Sequence, residues 1–200
     1  MKHVRTLAFS ILCSGLLILP AAAQSSSSGS QSSDTKGTQT QSSTQSQKVA
    51  PADRMFMKKA AEANKAEIEL GQLATQKASS DDVKKFGQRM VDDHSKASQD
   101  LEQIASKKGV TLPDKLNAKD EATKDRLDKL SGKQFDEAYM RDMVTDHKKD
   151  VSEFKREEKM AKDPDVKSFA QNTTPTLESH LQEAEKIAPK GMASKRPVQK

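Results

Sequence analysis

The 200-residue chain is poor in the residues that brace small folds. It has one cysteine, no tryptophan and one tyrosine, and aromatic residues make up only 4%. The lone cysteine, Cys13, sits inside an apolar N-terminal run, so no disulfide framework is available and stability has to come from a packed core. Few aromatics mean a core assembled from Leu, Met, Val, Ile, Ala and six Phe. The longest apolar run, Leu7–Leu19, is about 13 residues, short of the roughly 20 that span a bilayer. Neither sign of charge dominates: 34 basic and 29 acidic residues are interspersed, for a net +5, and form no basic stripe for nucleic acid. Gly-rich phosphate loops and nucleophile elbows are missing, and no cysteine beyond Cys13 can act as a nucleophile. No catalytic motif remains, and the chain reads as a non-enzyme.

What is present begins with "MKHVRTLAFSILCSGLLILPAAAQ": a basic start, an apolar run and a small-residue site at Ala21–Ala23. This layout predicts a cleaved signal peptide over residues 1–23, hence export to the periplasm or the outer membrane, with no transmembrane segment left after cleavage. Leu12 before Cys13 is not the small residue that a lipoprotein site needs. Export argues again against nucleic acid and leaves an envelope component or another protein as the class of partner. Residues 24–48 are almost entirely Ser, Gln, Thr and Gly, which offer no apolar surface to offset the entropy of ordering, so a disordered linker is expected. Residues 189–200 read as a basic flexible tail.

Residues 49–188 change texture to helix formers with apolar steps of three and four. The first helix carries Phe56, Ala60, Ala63, Glu67, Leu70 and Ala74 on one stripe. "SSDD" (79–82) stops it and caps a second helix with Val83, Phe86, Met90, His94, Ala97, Leu101 and Ile104, ending at Gly109. A connection with Pro113 and a short helix near Ala118–Leu130 leads to Gly132. The third long helix shows Asp136, Met140, Met143, His147, Val151 and Phe154. The fourth, starting at "DPD" (163–165), shows Val166, Phe169, Thr173, Leu177, His180, Ala184 and Ile187, with a kink expected at Pro175. The expectation is an all-α four-helix bundle, built as two helical hairpins with a long connection between helices 2 and 3.

Beyond His3, each of three histidines falls on the apolar stripe of a different helix. At about 1.5 Å per residue, His94, His147 and His180 each lie roughly 20 Å from a helix end, and the same level on the first helix falls at Glu67. One carboxylate and three imidazoles thus reach a common layer, and buried groups of this kind need partners. Two readings stand side by side. In one, Glu67, His94, His147 and His180 hold a copper or zinc ion, with Met90 and Met143, one turn before two of the histidines, as soft thioether additions. In the other, the four side chains make a hydrogen-bonded polar layer that sets packing and binds nothing. Asp93 and Asp146 lie about 100° around the helix from their histidines, where they can at most orient a neighbour. Asp150 and Glu183 read as solvated charges.

"NKAEIELGQLA" (64–74), "VKKFGQRMVDDHSKASQDL" (83–101), "LSGKQFDEAYMRDMVTDHKKDVSEF" (130–154) and "DPDVKSFAQNTTPTLESHLQEAEKI" (163–187) resemble the domain of unknown function 4142 family. The resemblance implies an exported protein with a ferritin-like bundle and no assigned activity. It does not bring di-iron chemistry with it. Ferritin-like carboxylate sites use Glu-x-x-His, whereas Val91, Val144 and Leu177 stand three residues before these histidines.

Overall fold

The computed structural model describes residues 49–189. The expected signal peptide and linker, and nearly all of the basic tail, lie outside the described residues. Within them the chain is all-helical: α1 (Pro51–Lys77), α2 (Asp81–Lys108), α3 (Ala118–Asp128), α4 (Gly132–Met160) and α5 (Pro164–Ile187). None of these helices is long and apolar enough to cross a membrane.

Two apolar clusters set the directions of the helices. One joins the C-terminal half of α1 (Leu70, Leu73) to the N-terminal halves of α2 (Phe86, Met90) and α4 (Phe135, Tyr139). The other joins the start of α1 (Phe56, Met57) to the end of α2 (Leu101), the end of α4 (Phe154) and the start of α5 (Phe169). Each of α1–α2 and α4–α5 is therefore an antiparallel hairpin. Helices α2 and α4 run the same way, and the connection carrying α3 has to travel back along the bundle. Between the clusters the core turns polar, with Asn64, Glu67, His94, His147, Asp150 and His180 all buried.

Local chemistry explains the helix ends. Pro164 occupies the first turn of α5, where its missing N–H costs nothing, and Asp163 caps that helix by accepting from the amides of Asp165 (2.9 Å) and Val166 (3.3 Å). Helix α2 ends at Gly109, whose φ of 65° lies in the left-handed region that suits glycine. The hydroxyl of Ser80 makes no cap hydrogen bond, contrary to the reading of "SSDD". The carboxylate of Asp136 from α4 accepts from the amides of Ser79 and Ser80, both at 3.0 Å. Asp136 is half-buried: at the helix end its side chain meets the backbone of the other hairpin's turn rather than apolar side chains. Asp53 of α1 does the same for the other hairpin, accepting from the amides of Lys162 (3.0 Å) and Asp163 (2.7 Å). Each hairpin's turn is held by a carboxylate from the other hairpin.

Pro175 lies within α5, which is helical on both sides of it. Thr174 rather than Thr173 is buried there, its hydroxyl donating to the Ala170 carbonyl at 2.8 Å. Helix α5 packs against both α4 and α2, so its buried face is broader than a single stripe.

Helices α1 and α2 approach closely at two glycines. A Cβ at Gly71 would stand 2.6 Å from the Gly87 carbonyl oxygen, and a Cβ at Gly87 would stand 2.7 Å from the Ala74 Cβ. Backbone cannot yield there without separating the helices. Gly71→Ala is expected to cost about 1–3 kcal/mol, lowering the melting temperature by several degrees in a calorimetric or circular-dichroism melt.

Candidate metal centre

The four layer residues come from four helices and meet between the two apolar clusters. His94 from α2, His147 from α4 and His180 from α5 are buried, and each offers a ring nitrogen within 4.8 Å of the other two. Ring centroids stand 5.3–5.8 Å apart. Glu67 from α1 closes the group on one side, with Oε2 3.1 Å from His94 Nε2 and 3.3 Å from His147 Nε2. Phe86 sets its ring 6.4 Å from both His147 and His180, covering the layer from the apolar side.

The outer hydrogen bonds decide which nitrogen of each ring carries its hydrogen. Carbonyl and carboxylate oxygens only accept, so a ring nitrogen hydrogen-bonded to one must donate. His147 Nδ1–H donates to the Met143 carbonyl at 2.9 Å, leaving its Nε2 as a lone pair. His180 Nε2–H donates to Asp93 Oδ2 at 2.7 Å, leaving Nδ1 as a lone pair. His94 Nδ1–H donates to Asn64 Oδ1 at 2.9 Å, again leaving Nε2 bare. His147 Nε2 and His180 Nδ1 then face one another at 3.3 Å with no hydrogen between them in the neutral rings.

Burial keeps the rings neutral. It is the largest influence on each, holding His94 down to about 4. His180 is held down to about 3 although the Asp93 hydrogen bond acts in the opposite sense. His147 is lowered too, burial outweighing the pull of Glu67. Burial lifts the Glu67 carboxyl to about 7, opposed by His147. Glu67 and His94 are close enough for an ion pair, yet neither Glu67 oxygen nor His94 Nε2 has a partner in hydrogen-bonding direction. With the ring neutral and the carboxyl's hold on its proton strengthened by burial, this contact is not a fixed ion pair. Ring nitrogens of the three histidines stand within 4.8 Å of one another, and the carboxyl lies beside two of them.

Asp93 is itself positioned. Burial would raise its carboxyl, but hydrogen bonds from His180 and Arg89 hold it below the usual range. Arg89 reaches Asp93 (3.2 Å), the Ser179 hydroxyl (3.0 Å) and Glu183 (2.5 Å), tying α2 to α5. Glu183 is thus an ion-pair partner rather than a free solvated charge. Asp150 departs further from expectation: it is buried, and burial followed by the Glu67 charge lifts it to about 7. It lines a cavity together with Asn117, Lys119, Asp120 and Thr123 of the crossover, a long-range juxtaposition with no trace in local periodicity. Met90 and Met143 are fully buried in the apolar cluster next to the layer. Sequence reasoning also passed over Asn64, one turn before Glu67 on the same face, and Tyr139, whose buried hydroxyl has no partner.

Residues 38–187 match the family described as domain of unknown function (DUF4142). The chain belongs to that family. Among solved structures, this DUF4142 chain is similar to a DUF305 fragment from Deinococcus radiodurans, with a TM-score of 0.63 and 14% identity over 70% of this chain and 96% of that one. It is similar also to CopM in the Cu(I)-bound form, with a TM-score of 0.57 and 14% identity over 67% of this chain and 93% of that one. At such identity the likeness is one of fold. No curated protein matches the chain.

The carboxyls set a pH signature for the metal-free protein. Glu67, raised from 4.5 to about 7 on folding, contributes stability that is fully present below about 4.5 and lost as pH rises through 7. His94, lowered from 6.5 to about 4, contributes stability that is present above 6.5 and lost as pH falls toward 4. Glu67→Gln should shrink the loss of stability between pH 6 and 8, Asp150 retaining part of it, as read by chelator-treated denaturant melts across that range. An unchanged slope would contradict the buried, raised carboxyl.

Proposed function

We propose that this DUF4142 protein is an exported, non-enzymatic cell-envelope protein with a ferritin-like four-helix bundle, which binds one transition-metal ion through His94, His147, His180 and Glu67. The observation that carries this reading is the convergence of three imidazole lone pairs in a buried layer, with every ring hydrogen already committed to an outer acceptor. Metal-ligating imidazoles are oriented by such outer acceptors. The 3.3 Å between His147 Nε2 and His180 Nδ1 also fits a metal site. A tetrahedron with metal–nitrogen bonds of roughly 2.0–2.1 Å has an edge of about that length. A metal-free polar layer would be built the other way, with a hydrogen between each facing pair of nitrogens.

Three imidazoles and a carboxylate form a borderline-to-hard donor set, suited to Zn(II) or Cu(II). Met90 and Met143 are weaker candidates, since both fill the adjoining apolar cluster. The fold shared with a Cu(I)-bound protein supports a metal role by analogy of architecture alone. Export rests on the N-terminal 23 residues, whose layout is that of a signal peptide.

Stoichiometric Zn(II) or Cu(II) added to chelator-stripped protein should raise the melting temperature. At a thousandfold excess over Kd the gain is about 4 kcal/mol, roughly 10 °C for a domain of this size. His94→Ala and His147→Ala should each abolish the shift. If instead neither metal moves the melt and His94→Leu stabilises the fold, the layer serves packing alone.

A further inference from the structure

Helix α3 is held more loosely than its neighbours. Leu127 is its only buried residue, and exposed ion pairs such as Lys124–Glu69 (2.6 Å) and Arg126–Asp142 (2.5 Å) supply much of the rest. Beneath its N-terminal turn lies a cavity of about 180 Å³ between α1, α3 and α4. Its walls carry five carboxylates against three lysines. At the outer rim stand Asp120, whose carboxylate accepts from the side-chain Nδ2 of Asn117 at 2.7 Å, and Asp146, 3.9 Å from the ammonium of the largely exposed Lys119. At the inner wall stand Asp150 and Glu67, both buried. Glu67 is shared between cavity and layer: its Oε2 contacts His94 and His147, and neither of its oxygens has a hydrogen-bond partner.

We propose that this cavity is the loading vestibule of the bundle, where a hydrated divalent cation is gathered by the rim carboxylates and handed through Glu67 to the three imidazoles. This rests on the metal-binding reading and adds a route to it. An ion cannot reach a layer sealed by two apolar clusters along the bundle axis, and the cavity supplies a polar path from its side. At roughly 30 Å³ of liquid volume per water, the cavity has room for several of the ion's waters. Carboxylates at the mouth of a walled, low-dielectric cleft concentrate cations and raise their rate of entry. Glu67 can then exchange one of those waters for a carboxylate oxygen, and His94 and His147 lie within 3.3 Å of that oxygen. The step is ligand exchange alone, with no change of oxidation state.

The test is stopped-flow association of Zn(II) and, separately, Cu(II) with full-length mature protein at low ionic strength, alongside equilibrium affinity by chelator competition. The double variant Asp120→Asn/Asp146→Asn should associate about fivefold or more slowly, with a weaker salt dependence and a smaller change in Kd than in rate. Glu102→Gln removes an acid outside the cavity and should leave the rate unaltered. A metal-free melting temperature close to that of the unaltered protein shows that the double variant is folded. Stoichiometric binding with an unchanged association rate in the double variant overturns the vestibule and leaves the metal centre standing. An equal slowing by Glu102→Gln overturns it too, because the effect is then one of net charge. Absence of stoichiometric binding by the unaltered protein overturns both.

Discussion

Three buried imidazoles crowd one layer, with the bare nitrogens of His147 and His180 face to face, and the packing around them holds them so. Two bare nitrogens 3.3 Å apart repel, and the low dielectric of the interior strengthens that repulsion. Neutral rings cannot relieve it, since their hydrogens are committed to Asn64, the Met143 carbonyl and Asp93. Protonating a ring is opposed by burial. A positive centre between them would relieve the repulsion, and Glu67, whose carboxyl holds its proton more tightly than usual, stands beside His94 and His147. Metal binding in such a site displaces a proton from the carboxyl rather than from the imidazoles.

The fold supplies the rigidity that this arrangement demands. Apolar clusters on either side fix the four helices, and the carboxylates of Asp53 and Asp136 fasten each hairpin to the turn of the other. The contact of Gly71 with Gly87 sets the spacing of α1 and α2, and with it the approach of Glu67 to His94. Arg89 ties Asp93 to α5, so the ring orientation of His180 depends on an ion-pair network that is partly exposed. One side of the layer is left polar, under α3, where the buried carboxyls of Glu67 and Asp150 stand.

Much of this could be read from the chain by counting. An apolar period of three and four residues locates the helices, and depth along each helix brings His94, His147, His180 and Glu67 to one level, because a helix rises by a constant step. Counting fails where long-range contact decides. Asp150 looks solvated until the crossover is known to lie above it. Asp136, set on the apolar stripe by its spacing, is half-buried and meets the backbone of another hairpin. Asn64 gave a faint signal, a buried-side amide one turn from Glu67. Tautomers have no sequence signature at all, since they depend on which acceptor a neighbouring helix presents.

The pattern of ring hydrogens is therefore the most direct test. Chelator-treated protein labelled with ¹⁵N-histidine should give, at neutral pH, long-range nitrogen–proton correlations for three uncharged rings. His94 and His147 are expected with the hydrogen on Nδ1 and His180 with it on Nε2. A hydrogen found on His147 Nε2 or His180 Nδ1, in a neutral or a charged ring, would mean that the facing nitrogens are already joined by a hydrogen bond and have no need of a metal.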